Sequence, residues 1–282
     1  MSFIILRVLN IPMNKSTDFY LPINNFEAIF IKSIWKLSDN ELQERKEIIL
    51  PKGTVEIIFN FSDTIKYINP YFQIKKILPA VFVNGINFKP FELVKSGKQE
   101  FVGIQLNGTG LKLLFNCSAE EFKNNVCDGI NVCSMLSSLA EKLFYAQSFT
   151  QQVDFILEWI RNKVQKFKFQ YSIERVILIT RLIQIEEVSV KKLTHEICLS
   201  DRQLRRFSQV WLGMNIEEFI HYNKYIRTLY QIHNSKKTLT TIGMEAGYYD
   251  QSHFIREFKT YTDLTPKQYR NANSGYPGHI FI

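Results

Sequence analysis

Three arginines and a glutamine, Arg202, Arg205, Arg206 and Gln209, alternate with Leu204, Phe207 and Trp211. At 100° per residue the two sets fall on opposite sides of a helix, the apolar set inward. No acid is expected to face the guanidinium groups, so they repel one another, a cost that a polyanion relieves. A second set follows further on. Phe254 and Phe258, at i and i+4, point inward and leave Ser252, His253, Arg256 and Thr260 outside, with Gln251 projecting from the first turn. A merely solvated face usually carries Glu and Lys. Arg, Gln, Ser and His can instead meet base edges, Arg by two bonds to guanine and Gln by a donor and acceptor pair to adenine. The chemistry on offer is hydrogen bonding to exposed nucleotides, not bond breaking.

Other chemistries fit less well. Asp250, Ser252 and His253 are close in sequence, but adjacent helical residues point in different directions and cannot form a nucleophile relay. His195, His221, His233, His253 and His279 are scattered, with no pair at ligand spacing beside a Cys or an acid, so no metal site is expected. The "GTG" at 108–110 lacks the Lys-Ser/Thr of a phosphate loop and reads as a turn. Glu56, in the strand-like "TVEIIFNF" at 54–61, is expected on a wet face, ligand contact being the lesser reading. Neither a catalytic residue nor a cofactor is expected. Lys191, Lys192, Lys236, Lys237 and Lys267 stand near helix starts and are expected to touch phosphates.

The elements that must position these residues form two similar units, at 189–207 and 238–258. Each reads as a short helix, a tight turn and a second helix, capped by Ser200 in one and Asp250 in the other. Gly247 supplies the permissive backbone of the second turn. Phe219, Tyr222, Ile226 and Leu229 mark a connecting helix over 215–232, roughly 27 Å long at about 1.5 Å per residue. That is close to the roughly 34 Å between successive major grooves on one face of a duplex. Upstream, "TVEIIFNF" and "FVGIQL" (101–106) are strand-like runs punctuated by Pro and Gly, and "VNGIN" (83–87) has the composition of a hairpin turn. From Ser118, where Glu121 completes a capping box, the spacing becomes helical. Val153, Ile156, Leu157, Ile160 and Val164 line one stripe, read as core-facing with dimerisation as the rival. The segment 166–172 reads as a connector. The expected class is α+β: a β-rich sensor or regulatory domain over 1–116, a helical segment over 117–167 that could serve dimerisation, an all-α double helix-turn-helix domain over 168–272, and a tail over 273–282.

The totals agree without deciding the matter. The 282 residues carry 35 Lys and Arg against 27 Asp and Glu, a net charge of +8, which favours polyanionic partners in general. Residues 167–271 hold 16 basic and 11 acidic side chains, a modest bias. Cys117, Cys127, Cys133 and Cys198 form no C-x-x-C pair, which suits a reduced cytoplasmic chain. No export signal or membrane-spanning run is read.

The C-terminal residues resemble the DNA-binding domain of the AraC/XylS family of bacterial transcription regulators. The likeness covers 190–270 and rests on Ile242, Ala246-Gly247-Tyr248, Asp250, Ser252, Phe254, Arg256, Phe258, "LTPKQYR" at 264–270, "LSDRQLRR" at 199–206 and Gly213. Three positions depart from the pattern. Ser208 follows Phe207 where the family has its aromatic, so the first recognition helix is expected to be rotated or to share its core contact with Trp211. Asp263 replaces Gly before "LTP", and Ile216 stands where Pro is common. Residues 49–63 and 101–115 are similar to a domain of uncharacterised role that precedes this unit in some regulators, which implies a β-rich sensor or dimerisation module. The resulting expectation is a cytoplasmic, sequence-specific regulator, an activator by preference, bound to double-stranded DNA. A small-molecule effector, a homodimer and contact with RNA polymerase stay open. The rival is a small-molecule-binding or metabolic protein whose β-rich half is the active part.

Overall fold

The computed structural model describes residues 5–7, 15–164, 170–185, 188–272 and 275–282. Among the described residues, eleven strands belong to the first half: β1 (Ile5–Arg7), β2 (Lys15–Tyr20), β3 (Ile31–Asp39), β4 (Arg45–Ile49), β5 (Val55–Asn60), β6 (Ile65–Asn69), β7 (Ile74–Ile77), β8 (Val81–Asn84), β9 (Phe91–Lys95), β10 (Gln99–Leu106) and β11 (Val126–Asp128). Helix α1 (Asn25–Phe30) precedes β3, and α2 (Gly110–Phe115) follows β10. The strands make two sheets, ordered β1-β2-β3-β10-β5-β8-β11 and, with the C-terminal strand β12 (His279–Phe281), β12-β4-β9-β6-β7. Apolar side chains of both sheets, among them Phe82, Phe101, Ile49, Ile65, Tyr67 and Phe91, meet in one buried cluster, so the sheets pack face to face. Gly103 of β10 lies opposite Trp35, and a Cβ there would run into the indole, a close approach that explains a glycine in a central strand.

The expected hairpin at 83–87 does not form. Strand β8 pairs with β5 and β11, whereas β9 pairs with β4 and β6 of the other sheet, so the chain crosses between sheets at Asn84-Gly85. Gly85 is not needed for a positive φ; a side chain there would overlap the carbonyl of Phe122. The capping box at Ser118 and Glu121 is present but opens a single 3-10 turn, after which β11 joins the large sheet.

Helices α3 (Gly129–Val132), α4 (Met135–Tyr145), α5 (Phe149–Val164) and α6 (Gln170–Ile185) come next. Val153, Ile156, Leu157 and Ile160 are buried with residues of the large sheet in the chain's own core. Residues 166–169 of the expected connector lie outside the described residues, and 170–172 already belong to α6. The chain continues as α7 (Val190–Ile197), α8 (Asp201–Leu212), α9 (Ile216–Asn234), α10 (Leu239–Glu245), α11 (Gln251–Thr262) and α12 (Pro266–Asn271). No helix among the described residues is long and apolar enough to cross a membrane.

The two halves are joined by more than the chain. The Tyr222 hydroxyl of α9 donates to the Asn87 carbonyl at 2.8 Å and that of Tyr225 to the Pro51 carbonyl at 2.7 Å. After α12, residues 275–282 return to the smaller sheet, where β12 pairs antiparallel with β4.

Candidate nucleic-acid interface

Local capping fixes both α8 and α11. The Ser200 hydroxyl accepts from the backbone N–H of Gln203, whose side-chain oxygen accepts in return from Ser200 N–H, and α8 ends at Gly213 with φ 77°. Asp250 accepts from His253 N–H at 2.7 Å, Gly247 takes φ 78° in the preceding turn, and α11 ends at Asp263 with φ 60°. The left-handed cap that glycine would make at no steric cost is therefore made here by an aspartate.

Ser208 is fully buried and its hydroxyl donates to the Arg205 carbonyl, while Phe207 is half-buried and stacks on Trp211 with ring centroids 5.9 Å apart. The buried residues of α8 are Leu204, Ser208, Trp211 and Leu212, and Phe207 packs only partly against the same core. Arg202, Arg205 and Arg206 are exposed and Gln209 is half-buried on the opposite side. One guanidinium is not alone there. Arg205 Nε and a terminal nitrogen both donate to Glu217 Oε1, at 3.0 and 2.7 Å. The acid comes from the start of α9, which rotation about α8 alone does not reveal.

On α11, Gln251, Ser252 and Arg256 are exposed, and Phe254 and Phe258 are buried. His253 sits on the flank, half-buried, with Nε2 3.2 Å from Glu257 and the ring edge-on to Tyr248. The structure thus groups Ser252 and Arg256 with Lys259 and Thr260 along one shallow groove, and sets His253 to one side. Tyr249 was missed by the pattern. It is 93 % exposed just before Asp250, while its neighbour Tyr248 is buried; two adjacent tyrosines carry no signal of which one turns out. Lys191, Lys192, Lys236, Lys237 and Lys267 are all exposed, and Lys237 pairs with Glu245 at 2.7 Å.

The first half holds a second concave feature, a cavity of about 140 Å³ between the sheets. Its walls are largely apolar, with Trp35, Tyr67 and Phe101 among them, and β12 contributes His279 and Phe281. Glu56 lies here, 4 % exposed and 3.3 Å from Lys52, so its expected place on a wet face is overturned. Strand β5 is covered on both sides, and the ammonium satisfies the carboxylate. Glu47 contacts Lys95 and His279. Burial would raise its carboxyl pKa, yet the two partners hold it well below the usual range. Burial, helped by Lys52, lowers His279. The geometry suits a neutral ring whose Nδ1–H donates to Glu47 at 2.5 Å while Nε2 accepts from Lys52 at 3.2 Å.

Comparison with known proteins bears on both halves. Residues 193–272 match the model of a helix-turn-helix domain family, and residues 20–128 that of a domain of unknown function. The chain is 24% identical over 150 residues to the transcriptional regulator MxiE of Shigella flexneri, covering 53% of this chain and 67% of that one. It is 29% identical over 99 residues to the transcriptional activator RhaR of Escherichia coli K12, covering 34% and 35%. An uncharacterized helix-turn-helix regulator of Haemophilus influenzae is 24% identical over 195 residues, 69% of this chain and 63% of its own. So the chain spans two thirds or less of the length of these relatives. The solved structure of ToxT from Vibrio cholerae superposes with a TM-score of 0.50 at 13% identity, over 85% of this chain and 98% of that one, a likeness of fold.

Proposed function

We propose, from the premise that this chain is a DNA-binding transcription regulator of the AraC type, that it reads two adjacent major grooves of one duplex, α8 in the first and α11 in the next. The observation that carries this reading is the pair of capped helices, each burying one face and exposing a polar one, joined by the 19-residue α9. At about 1.5 Å per residue α9 is roughly 28 Å long, which suits recognition elements about one helical turn apart. Arg202, Arg205, Arg206 and Gln209 serve the first groove, Gln251, Ser252 and Arg256 the second, with His253 at its margin. Lys191, Lys192, Lys236, Lys237 and Lys267 contact phosphates. Such contacts fix register and orientation, whereas the arginines and glutamines carry sequence.

The reading extends to an activator, in line with the name of RhaR, acting in the cytoplasm where RNA polymerase is available. The sandwich cavity supports a small effector with an apolar body and one polar group, since a dry cavity of about 150 Å³ accommodates a benzene-sized molecule. Selection of bound sequences from a random duplex pool tests the central part. A recovered site with two conserved blocks supports it, and recovery of unrelated sequences contradicts it.

A further inference from the structure

The regulatory half reaches the recognition surface at Lys89. The segment between β8 and β9 is held on α9: Tyr222 donates to the Asn87 carbonyl, and the Phe88 ring lies 4.8 Å from that of Tyr222. On its other side Phe88 N–H donates to Asn124 Oδ1 at 2.7 Å, and the Lys123 ammonium stands 4.8 Å from the Phe88 ring. This anchoring aims the next residue at α11. Lys89 Nζ donates to the Thr260 carbonyl at 2.7 Å and lies 5.1 Å from the Tyr71 ring. Thr260 belongs to the last turn of α11, where carbonyls lack helical partners and a cation is favoured. An ammonium has three donors, and the Thr260 carbonyl takes one.

The groove beside this contact is lined by Lys89, Ser252, Ile255, Arg256, Lys259, Thr260 and Asp263. Three cations face one acid across it. Ser252 and Arg256 belong to the base-reading face, and a recognition helix contacts bases from its N-terminal residues, so Lys259 and Lys89, towards the other end of α11, fall where the flanking strand of the duplex passes.

We propose that Lys89 joins Lys259 in a cradle for the DNA sugar-phosphate backbone, next to the base-reading Arg256, so that the regulatory half makes a direct contact with the operator beside the second recognition helix. This rests on the function proposed above. A contact of this kind adds one released counterion and no sequence preference.

Salt titration of full-length protein on a selected duplex and on an unrelated one, from roughly 50 to 200 mM, tests it. Lys89→Met, which keeps an apolar stem and drops the charge, is expected to reduce the slope of log K against log salt by about 1 and to weaken both duplexes alike. Lys89→Arg should restore the slope, and Lys259→Ala should show the same loss. An unchanged slope in Lys89→Met, with only a lower melting temperature, would mean that the residue merely caps α11; tighter binding would mean that it obstructs the duplex. Either overturns the cradle. If the wild-type chain shows no sequence preference at all, the function reading itself fails and the cradle with it, an outcome distinct from a preference that survives with an unchanged slope.

Discussion

At the scale of single residues, exposed side chains without an acidic partner differ from those that an acid holds. Arg256 is exposed on α11, so Arg256→Ala is expected to cost about 1 to 3 kcal/mol at a cognate site and to relax discrimination at one base pair. Equal losses on cognate and random duplexes, measured by fluorescence anisotropy, would make it a phosphate contact instead. Arg205 differs because Glu217 holds it. An exposed pair of this kind is worth about 0 to 1 kcal/mol, so Glu217→Gln should leave the melting temperature nearly unchanged while releasing Arg205 for DNA and steepening the salt dependence of binding. A shallower dependence in the same titration would show that Glu217 orients Arg205 for its contact. Much of this surface was legible in the sequence, since the spacing of Phe254 and Phe258 is enough to turn Ser252 and Arg256 outward. The partners of Arg205 and His253 were not. Glu217 comes from the next helix, and Glu257 draws His253, at the margin of the apolar face, towards the protein.

At the scale of elements, features that depend on neighbours in sequence are legible in it, and features that depend on distant residues are not. Ser200 and Asp250 cap their helices because a short side-chain oxygen needs only the N–H groups of the following turn. Asp250→Ala is accordingly expected to destabilise the protein by about 0.5 to 2 kcal/mol in chemical denaturation, whereas Asp250→Asn should be nearly silent. A loss as large in Asn as in Ala would mean that the carboxylate charge, not the cap, matters. The strand-rich texture of the first half was also evident, but the partition of its strands between two sheets was not. Asn84-Gly85 has hairpin composition, and only the nearby Phe122 carbonyl shows that glycine is there for close approach. Ser208 taught the opposite lesson: the burial of Leu204 and Trp211 holds α8 in register even though a small residue occupies a core position.

At the scale of the whole molecule, the ties between the recognition domain and the β-rich domain among the described residues include α9 on the loops at Pro51 and Asn87, Lys89 on α11, and, last along the chain, β12 on β4. The last of these carries a pH dependence. His279 is lowered below its ordinary value of 6.5 in the folded chain, so below about pH 6.5 the unfolded chain binds a proton that the folded chain resists, and stability falls with acidification. Glu47, depressed by its partners, adds a further loss at lower pH as its carboxylate is protonated. Melting temperature should therefore drop between about pH 7.5 and 5.5, and His279→Gln should flatten part of that drop; an unaltered profile in the variant would assign it to other groups, such as His233, which burial also lowers. None of these ties was visible in the sequence, because each joins residues far apart along the chain. The central claim concerns the same assembly: two helices held by α9 address one side of a duplex. Hydroxyl-radical footprinting of the full-length protein on a selected operator tests it most directly. Two protected patches on the same face, separated by about 10 to 10.5 base pairs, are predicted, with the patch nearer α11 weakened selectively by Arg256→Ala. One patch alone, or two on opposite faces, would contradict the account.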